Sequence, residues 1–446
     1  MAQFNLKESS QVRIRKIEII SNIGPLDVTA IFQELNIYDT IFFPSMSGNI
    51  VLLDSKNISG QIDFKSCFLS IEISKGEETD GPTFLKKTFR IYNQSNRTMQ
   101  NLSTEFYVLH FISQELIESL TYTENNKKVC QYFEGTYGNA ASIILKNYLQ
   151  VPDNKIASIQ QTKGLHKFTI PNLSPFDAIE WLVKRSITNN NIPNFFFFEN
   201  VAGYNFVSLS DLLSRSSVGT INFDIKNVND QNHEFYGASS VQVISQSHLG
   251  KAIRDGIFAG TLIEYDSFSG YYNEKNFGFN DMTKQLNNKN SHGTGLTNRQ
   301  GNDLATSYAA RTITSVSPVG RQTGVVGDYL KQNDPSTANI VDDTNNWKYP
   351  RKAILSNLIQ KRLRMTVPGN FIFSSGFNVD LKGFNLTMVA KDDSKDVSTN
   401  GKYIIIAARH MIKPQIHQTI LELASESTNS PFSVSESAAQ TEAKFA

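Results

Sequence analysis

The sequence predicts a β-rich α+β protein with two β regions, one at the start and one divided by an insertion, and a small α+β domain between them. Three observations predict it. Short apolar runs recur along residues 11–118 with turn residues between them, the pattern of a barrel or a sandwich. From 119 to 214 the apolar period changes to that of helices. The composition also favours sheets: 30 Phe and 16 Tyr suit half-buried strands, and only 19% of residues are charged. At 446 residues the chain exceeds one ordinary core, so roughly two to four domains are expected.

The first run is Val12, Ile14, Ile17, Ile19 and Ile20, closed by a turn at Ile23-Gly24-Pro25-Leu26. Strand-like stretches follow at 28–35, 40–44, 47–54, 67–74 and 89–92, and Phe106, Val108 and Phe111 mark another. Ala141, Ile144, Leu145 and Tyr148 then fall on one face of a helix over 138–149. A second helix opens at Ser174-Pro175-Phe176-Asp177, where Ser174 can cap and Pro175 suits the first helical position; Ile179, Leu182 and Val183 form its buried stripe. Residues 194–209 read as a hairpin turning near 200–203. Residues 215–272 return to β, with a helical piece around 248–255. Residues 273–345 are polar, rich in Gly, Asn and Thr, and weakly periodic, so they read as a loop-rich insertion. A helix is expected from Pro350, with Ala353, Ile354, Leu355, Leu358, Ile359 and Leu363 on one side, and strands at 364–367, 378–381, 386–390, 403–408 and 419–423. After Ser425 the Ser-, Ala- and Glu-rich composition reads as a disordered tail over 426–446.

Composition narrows the function classes. A net charge of +1 supplies no field for nucleic acid or a membrane surface, and the Arg13, Arg15 and Lys16 trio reads as the solvated face of a strand. Two cysteines, Cys67 and Cys130, exclude a disulfide framework and suit a reducing cytoplasm. The first eight residues hold no apolar run of the secretion-signal type, and no apolar stretch of about 18 residues occurs.

The expected set of catalytic, cofactor-binding and metal-ligating residues is empty. No pair among His110, His166, His233, His248, His292, His410 and His417 has the spacing that sets two imidazoles on one helix face. The stretch 292–301 is Gly-rich but lacks the Gly-Lys-Ser/Thr end of a phosphate loop. Asp392 and Asp393 are adjacent and would point apart, unsuited to flanking one glycosidic bond. Trp181 lies beside a buried stripe, so packing is its better reading than a sugar platform; Trp347 is the other tryptophan. The basic cluster Lys361-Arg362-Leu363-Arg364 reads as the C-terminal end of the preceding helix, complementing its dipole.

Several segments resemble the central baseplate hub of contractile-tailed phages. Leu53-Asp54-Ser55-Lys56-Asn57-Ile58 is similar to a segment of the hub's first barrel. Phe89-Arg90-Ile91-Tyr92, followed by Tyr107-Val108-Leu109-His110-Phe111-Ile112-Ser113-Gln114-Glu115, looks like its last strands. Residues 174–182 and the hairpin ending Phe206-Val207-Ser208-Leu209 resemble the inserted α+β domain. Val367-Pro368-Gly369-Asn370, then Gly401-Lys402-Tyr403 with Ala408-Arg409-His410, resembles the closing barrel, a pattern related to the hub part of type VI secretion spike proteins. In order, these cover most of residues 10–425; the segment 273–345 has no counterpart.

The resemblance implies two tube-type β-barrels per chain: residues 1–118, and 215–272 joined with 346–425, with 119–214 as the α+β domain. It implies a non-enzymatic structural virion protein, a homotrimer that adapts the six-fold tail tube to a separate three-fold spike. Implied partners are the trimeric spike, tail-tube, baseplate wedge and tape-measure proteins, with DNA only in transit through the lumen. The implied place is the tail baseplate of the virion, assembled in the host cytoplasm, and no cofactor is implied. The alternative class is a virion-associated carbohydrate-binding or hydrolytic tail protein, which would need convergent carboxylates or exposed aromatic platforms.

Overall fold

A computed structural model describes residues 10–75, 83–101, 103–121, 128–222, 237–245, 249–257, 259–265, 272–278, 311–316, 344–359, 361–382 and 400–425. The first β region is β1 (Arg13–Ser21), β2 (Gly24–Asp27), β3 (Phe32–Thr40), β4 (Ser47–Asp54), β5 (Phe68–Ser74), β6 (Phe84–Asn101) and β7 (Thr104–Ile112). Period-2 patterning makes these strands. In β5, Leu69, Ile71 and Ile73 are buried, while Phe68, Ser70 and Glu72 are only half-buried. Their buried faces meet Ile17, Ile19, Leu35, Ile37, Phe89 and Phe111 in one core. The expected strand at 40–44 is instead the turn between β3 and β4, with Phe42 and Phe43 exposed.

Residue Gly48 shows how tightly β4 sits in that core. A Cβ there would lie 2.2 Å from the Asn36 backbone oxygen and 2.3 Å from the Phe111 ring. Backbone on one side and a packed ring on the other cannot both retreat. Gly48→Ala is therefore expected to lower stability by about 3 kcal/mol, read as a shift in the urea unfolding midpoint.

The α+β domain follows α1 (Gln114–Leu120). It holds β8 (Tyr132–Gly135), α2 (Tyr137–Ile143), β9 (Ile156–Ile159), β10 (His166–Thr169), α3 (Pro175–Arg185), β11 (Phe195–Asn200), β12 (Gly203–Ser208) and α4 (Leu209–Ser214). The expected first helix is α2 continued by one wider turn over Ile144–Tyr148. Ser174 caps α3, its Oγ accepting from the Asp177 amide at 3.3 Å, with Pro175 at the first position. The β11–β12 hairpin turns after Asn200, as the sequence predicts. It is buried on both faces, one against α3 and one against the second β region.

The second β region holds β13 (Ser217–Asn222), β14 (Ser240–Ser245), α5 (Leu249–Asp255), β15 (Ala259–Tyr265), β16 (Tyr272–Gly278), β17 (Arg311–Val316), α6 (Thr344–Leu358), β18 (Lys361–Pro368), β19 (Asn378–Lys382), β20 (Gly401–Lys413) and β21 (Ile416–Ser425). Two expectations are corrected here. Lys361-Arg362-Leu363-Arg364 is not a helix end but the start of β18, because Leu363, Met365 and Val367 are buried at period 2. The helix before it starts at Thr344 and carries Pro350 inside. In the segment 273–345, read as a loop-rich insertion, the described residues include nearly all of β16, all of β17 and the start of α6. β16 and β17 flank β15 in a three-stranded sheet, so the 272/273 boundary cuts a strand. These strands escape detection because they bury little, chiefly Phe277 and Ile313 against Leu262, Tyr349 and Ala353. The strand expected at 386–390 and the tail 426–446 lie outside the described residues.

Strand pairing shows a repeat. In the first region the hydrogen-bonded order is β3-β4-β7-β6-β5, and in the second it is β14-β18-β21-β20-β19. Each unit thus takes its five strands in the same sequence order and arranges them in the same spatial order, with every neighbour antiparallel. The strand outside each differs: β1 runs antiparallel to β5, β13 parallel to β19. The two regions expected as separate barrels share one 13-stranded sheet, joined where β20 pairs with β3.

Candidate functional site

The densest buried chemistry lies where the three parts of the chain meet. Glu199, at the end of β11, reaches the first β region: it pairs with Lys87 of β6 at 3.0 Å and accepts from the Met46 amide at 2.9 Å and from the Ser113 hydroxyl. Lys87 Nζ also donates to the Asn200 carbonyl at 2.8 Å. Asn200 Nδ2 donates to the Ser375 carbonyl of the second region at 2.9 Å, and the Val201 amide donates to Ser374 Oγ at 3.2 Å. Ser374 donates to the Asp39 carboxylate on β3, which also accepts from the Ser375 amide at 3.3 Å. One polar chain therefore ties all three parts. Burial pushes the Asp39 carboxyl up to about 7, against the lowering effect of the Ser374 and Ser375 hydrogen bonds and the Lys87 charge. Apart from the buried Ser375 hydroxyl, which has no hydrogen-bond partner, these groups satisfy one another and fasten the domains together.

The histidines weighed as ligands resolve differently. His410 and His417 face each other across the β20–β21 hairpin, with Nδ1 and Nε2 3.1 Å apart, both against the Phe371 ring. Burial pushes His410 down to about 3; burial, His410 and Lys75 hold His417 well below the usual imidazole range. Both are neutral at pH 7 and act as core residues. Among the described residues no three His, Cys, Asp or Glu side chains gather as a metal set. His292, the stretch 292–301, Asp392 and Asp393 lie outside the described residues. Trp181 packs on Phe168 at 5.8 Å with the Arg185 guanidinium 3.7 Å from its ring, as the packing reading expects.

Sequence reasoning missed Asp39, Lys87 and Glu199. A signal existed for two of them. Asp39 continues the buried phase Leu35, Ile37 of its own strand, and Glu199 directly follows four phenylalanines. An acid in a buried phase needs partners, but one sequence does not say which.

The junction between the two β units is also polar. Thr40 Oγ1 and the Ile41 amide donate to the Ile406 carbonyl at 2.9 and 3.0 Å. Arg409 Nε donates to Asn36 Oδ1 at 2.9 Å, and Arg409 and Lys413 approach Glu34 at 3.6 and 3.7 Å.

No protein-family profile matches the sequence, and no curated protein matches it. Solved structures do match. A tail protein from Neisseria meningitidis aligns over 92% of this chain and 96% of its own, with a TM-score of 0.50 at 11% identity. The 43 kDa tail protein of prophage MuSo2 from Shewanella oneidensis aligns over 92% and 97%, with a TM-score of 0.48 at 8% identity. An E. coli component of the type VI secretion system, similar in structure to T4 phage tail proteins, aligns over 95% and 78%, at a TM-score of 0.39 and 8% identity. The chain thus shares the fold of the Neisseria tail protein over nearly its whole length.

Proposed function

We propose that this chain is a structural tail protein and acts as the trimeric central hub of a baseplate. The observation that carries this reading is the repeated five-strand unit. A chain with two similar units can place six around an axis as a trimer, matching a six-fold tube above and a three-fold spike below. In this reading the units curl into tube-type barrels at alternate positions of the ring, around a channel through which the genome passes. Tail-tube, spike, wedge and tape-measure proteins are its neighbours in the virion, after assembly in the host cytoplasm. Its role is architectural, with no catalytic step assigned to any residue.

The reading is tested by solution mass. The purified protein is expected to sediment at three times its 50.0 kDa chain mass. A six-chain ring would point to a tube component instead. A monomer at every concentration would remove the hub reading.

A further inference from the structure

His410 and His417 form a buried titratable pair that stands apart from the three-part junction. His410 is 0% exposed and His417 2%. Their rings lie 5.3 Å apart and share the Phe371 ring, at 4.9 and 4.8 Å. Thr419 Oγ1 sits 3.2 Å from His410 Nδ1 and also accepts from the Asn370 amide at 3.3 Å. His410 Nε2 is buried without a hydrogen-bond partner. The packing is tight: a Cβ on Gly369 would lie 2.0 Å from the His417 ring.

Three stretches of chain close on this pair. The His417 amide donates to the Ser10 carbonyl at 2.8 Å, and Gln11 bridges to Ile416, so the lead-in to β1 is fastened to the β20–β21 turn. The Gly369 amide donates to the His417 carbonyl at 2.8 Å, which holds the loop after β18. That loop and β20 send Phe371 and Ile412 into the core of the first β unit, the core that Val12 also joins. The turn itself, Lys413–Ile416, is exposed.

No charge is in place to hold a proton there. Lys75, directly after β5, acts on His417 and opposes its protonation. Arg409 and Lys413 meet Glu34 on the opposite face of β20. Among the described residues no carboxylate pairs with either ring. Burial disfavours the charged imidazole, and a second positive charge 3.1 Å away disfavours it further. A ring that takes up a proton must therefore reach water.

We propose that His410 and His417 act as an acid-operated catch, whose protonation releases the β20–β21 turn, the 369–371 loop and the lead-in to β1 from the end of the first β unit. Closed, both rings stay neutral; open, each titrates near its ordinary value of about 6.5. The catch is therefore intact above about pH 7 and weakens as the pH falls below about 6.5, by up to about a hundredfold per pH unit when two protons enter together. Opening is local, because the lead-in is tied to the turn by little more than one hydrogen bond and one bridge.

Hydrogen exchange of the full chain at pH 7, 6 and 5, each rate divided by the intrinsic rate at that pH, tests the catch. From pH 6 to 5 the opening of peptides 366–372 and 414–420 is expected to rise about 60-fold, the value for two imidazoles titrating near 6.5. The β11–β12 hairpin is expected to keep its protection. Replacing both rings, His410→Leu with His417→Leu, keeps roughly the volume and removes the titration. The rise is then expected to shrink to under about twofold. A rise below about tenfold in the parent, or an equal rise in the hairpin, overturns the catch and requires no variant to fold. A double variant that keeps the parental rise overturns it as well.

Discussion

Replacing Glu199 with alanine is expected to lower stability by about 3–5 kcal/mol, because it leaves a buried ammonium without its counter-charge. Lys87 is 18% exposed and Glu199 6%, so water reaches the pair poorly. The same change strips the acceptor from the Met46 amide and the Ser113 hydroxyl, both enclosed where the hairpin meets the first β region. A conservative double change, Glu199→Gln with Lys87→Met, removes both charges and is expected to cost less than Glu199→Ala alone. Urea unfolding of the three proteins measures the difference. A loss under about 1 kcal/mol for Glu199→Ala would mean that Lys87 escapes to solvent and that the junction does not depend on the pair.

The second large effect is on pH dependence. Folded Asp39 keeps its proton up to about pH 7, whereas an unfolded aspartate releases it near 3.8. Its contribution to stability is therefore intact below about pH 4 and is lost as the pH rises through 7. About three pKa units correspond to about 4 kcal/mol. Asp39→Asn keeps the volume and one acceptor but cannot ionise. Its stability relative to the parent is thus expected to improve between pH 5 and 8, read from thermal unfolding at matched ionic strength. The groups facing Asp39 are Ser374, Ser375, the Ala408 amide and the Lys87 charge, all of which favour the ionised form against burial. A parent–variant difference that stays constant across that range would mean Asp39 is already ionised at pH 5.

The sequence made much of this fold legible where burial was one-sided. β5 and β18 alternate cleanly, α3 announces itself through Ser174 and Pro175, and the β11–β12 turn falls where Asn200 and Gly203 put it. Composition was less telling where strands bury little: among the described side chains of β16 only Phe277 is buried, so polarity disguised it as loop. Apolar content misled at 40–44, where Ile41, Phe42 and Phe43 form a turn that seats Ile41 beside the α+β domain and leaves both phenylalanines outside. At Lys361–Arg364 the charges suggested a helix end, while the alternation that fixes a strand began only with Leu363. The polar junction was not legible at all, since Lys87, Glu199 and Asp39 are distant in sequence and meet only through tertiary pairing.

The β3–β20 seam bears on how the chain reaches its native state. Thr40 and Ile406, hydrogen-bonded across it, are 366 residues apart. As the protein is synthesised, β3 emerges early, yet the strand that covers its outer edge leaves the ribosome only near residue 412. For most of translation that edge is an open template, and β14 waits in the same way for β18, more than 100 residues later. Contacts this non-local fold slowly and expose partly formed sheet to wrong partners. High-level expression should therefore yield aggregates nucleated on the β3 edge, and slower synthesis at low temperature should raise the soluble fraction.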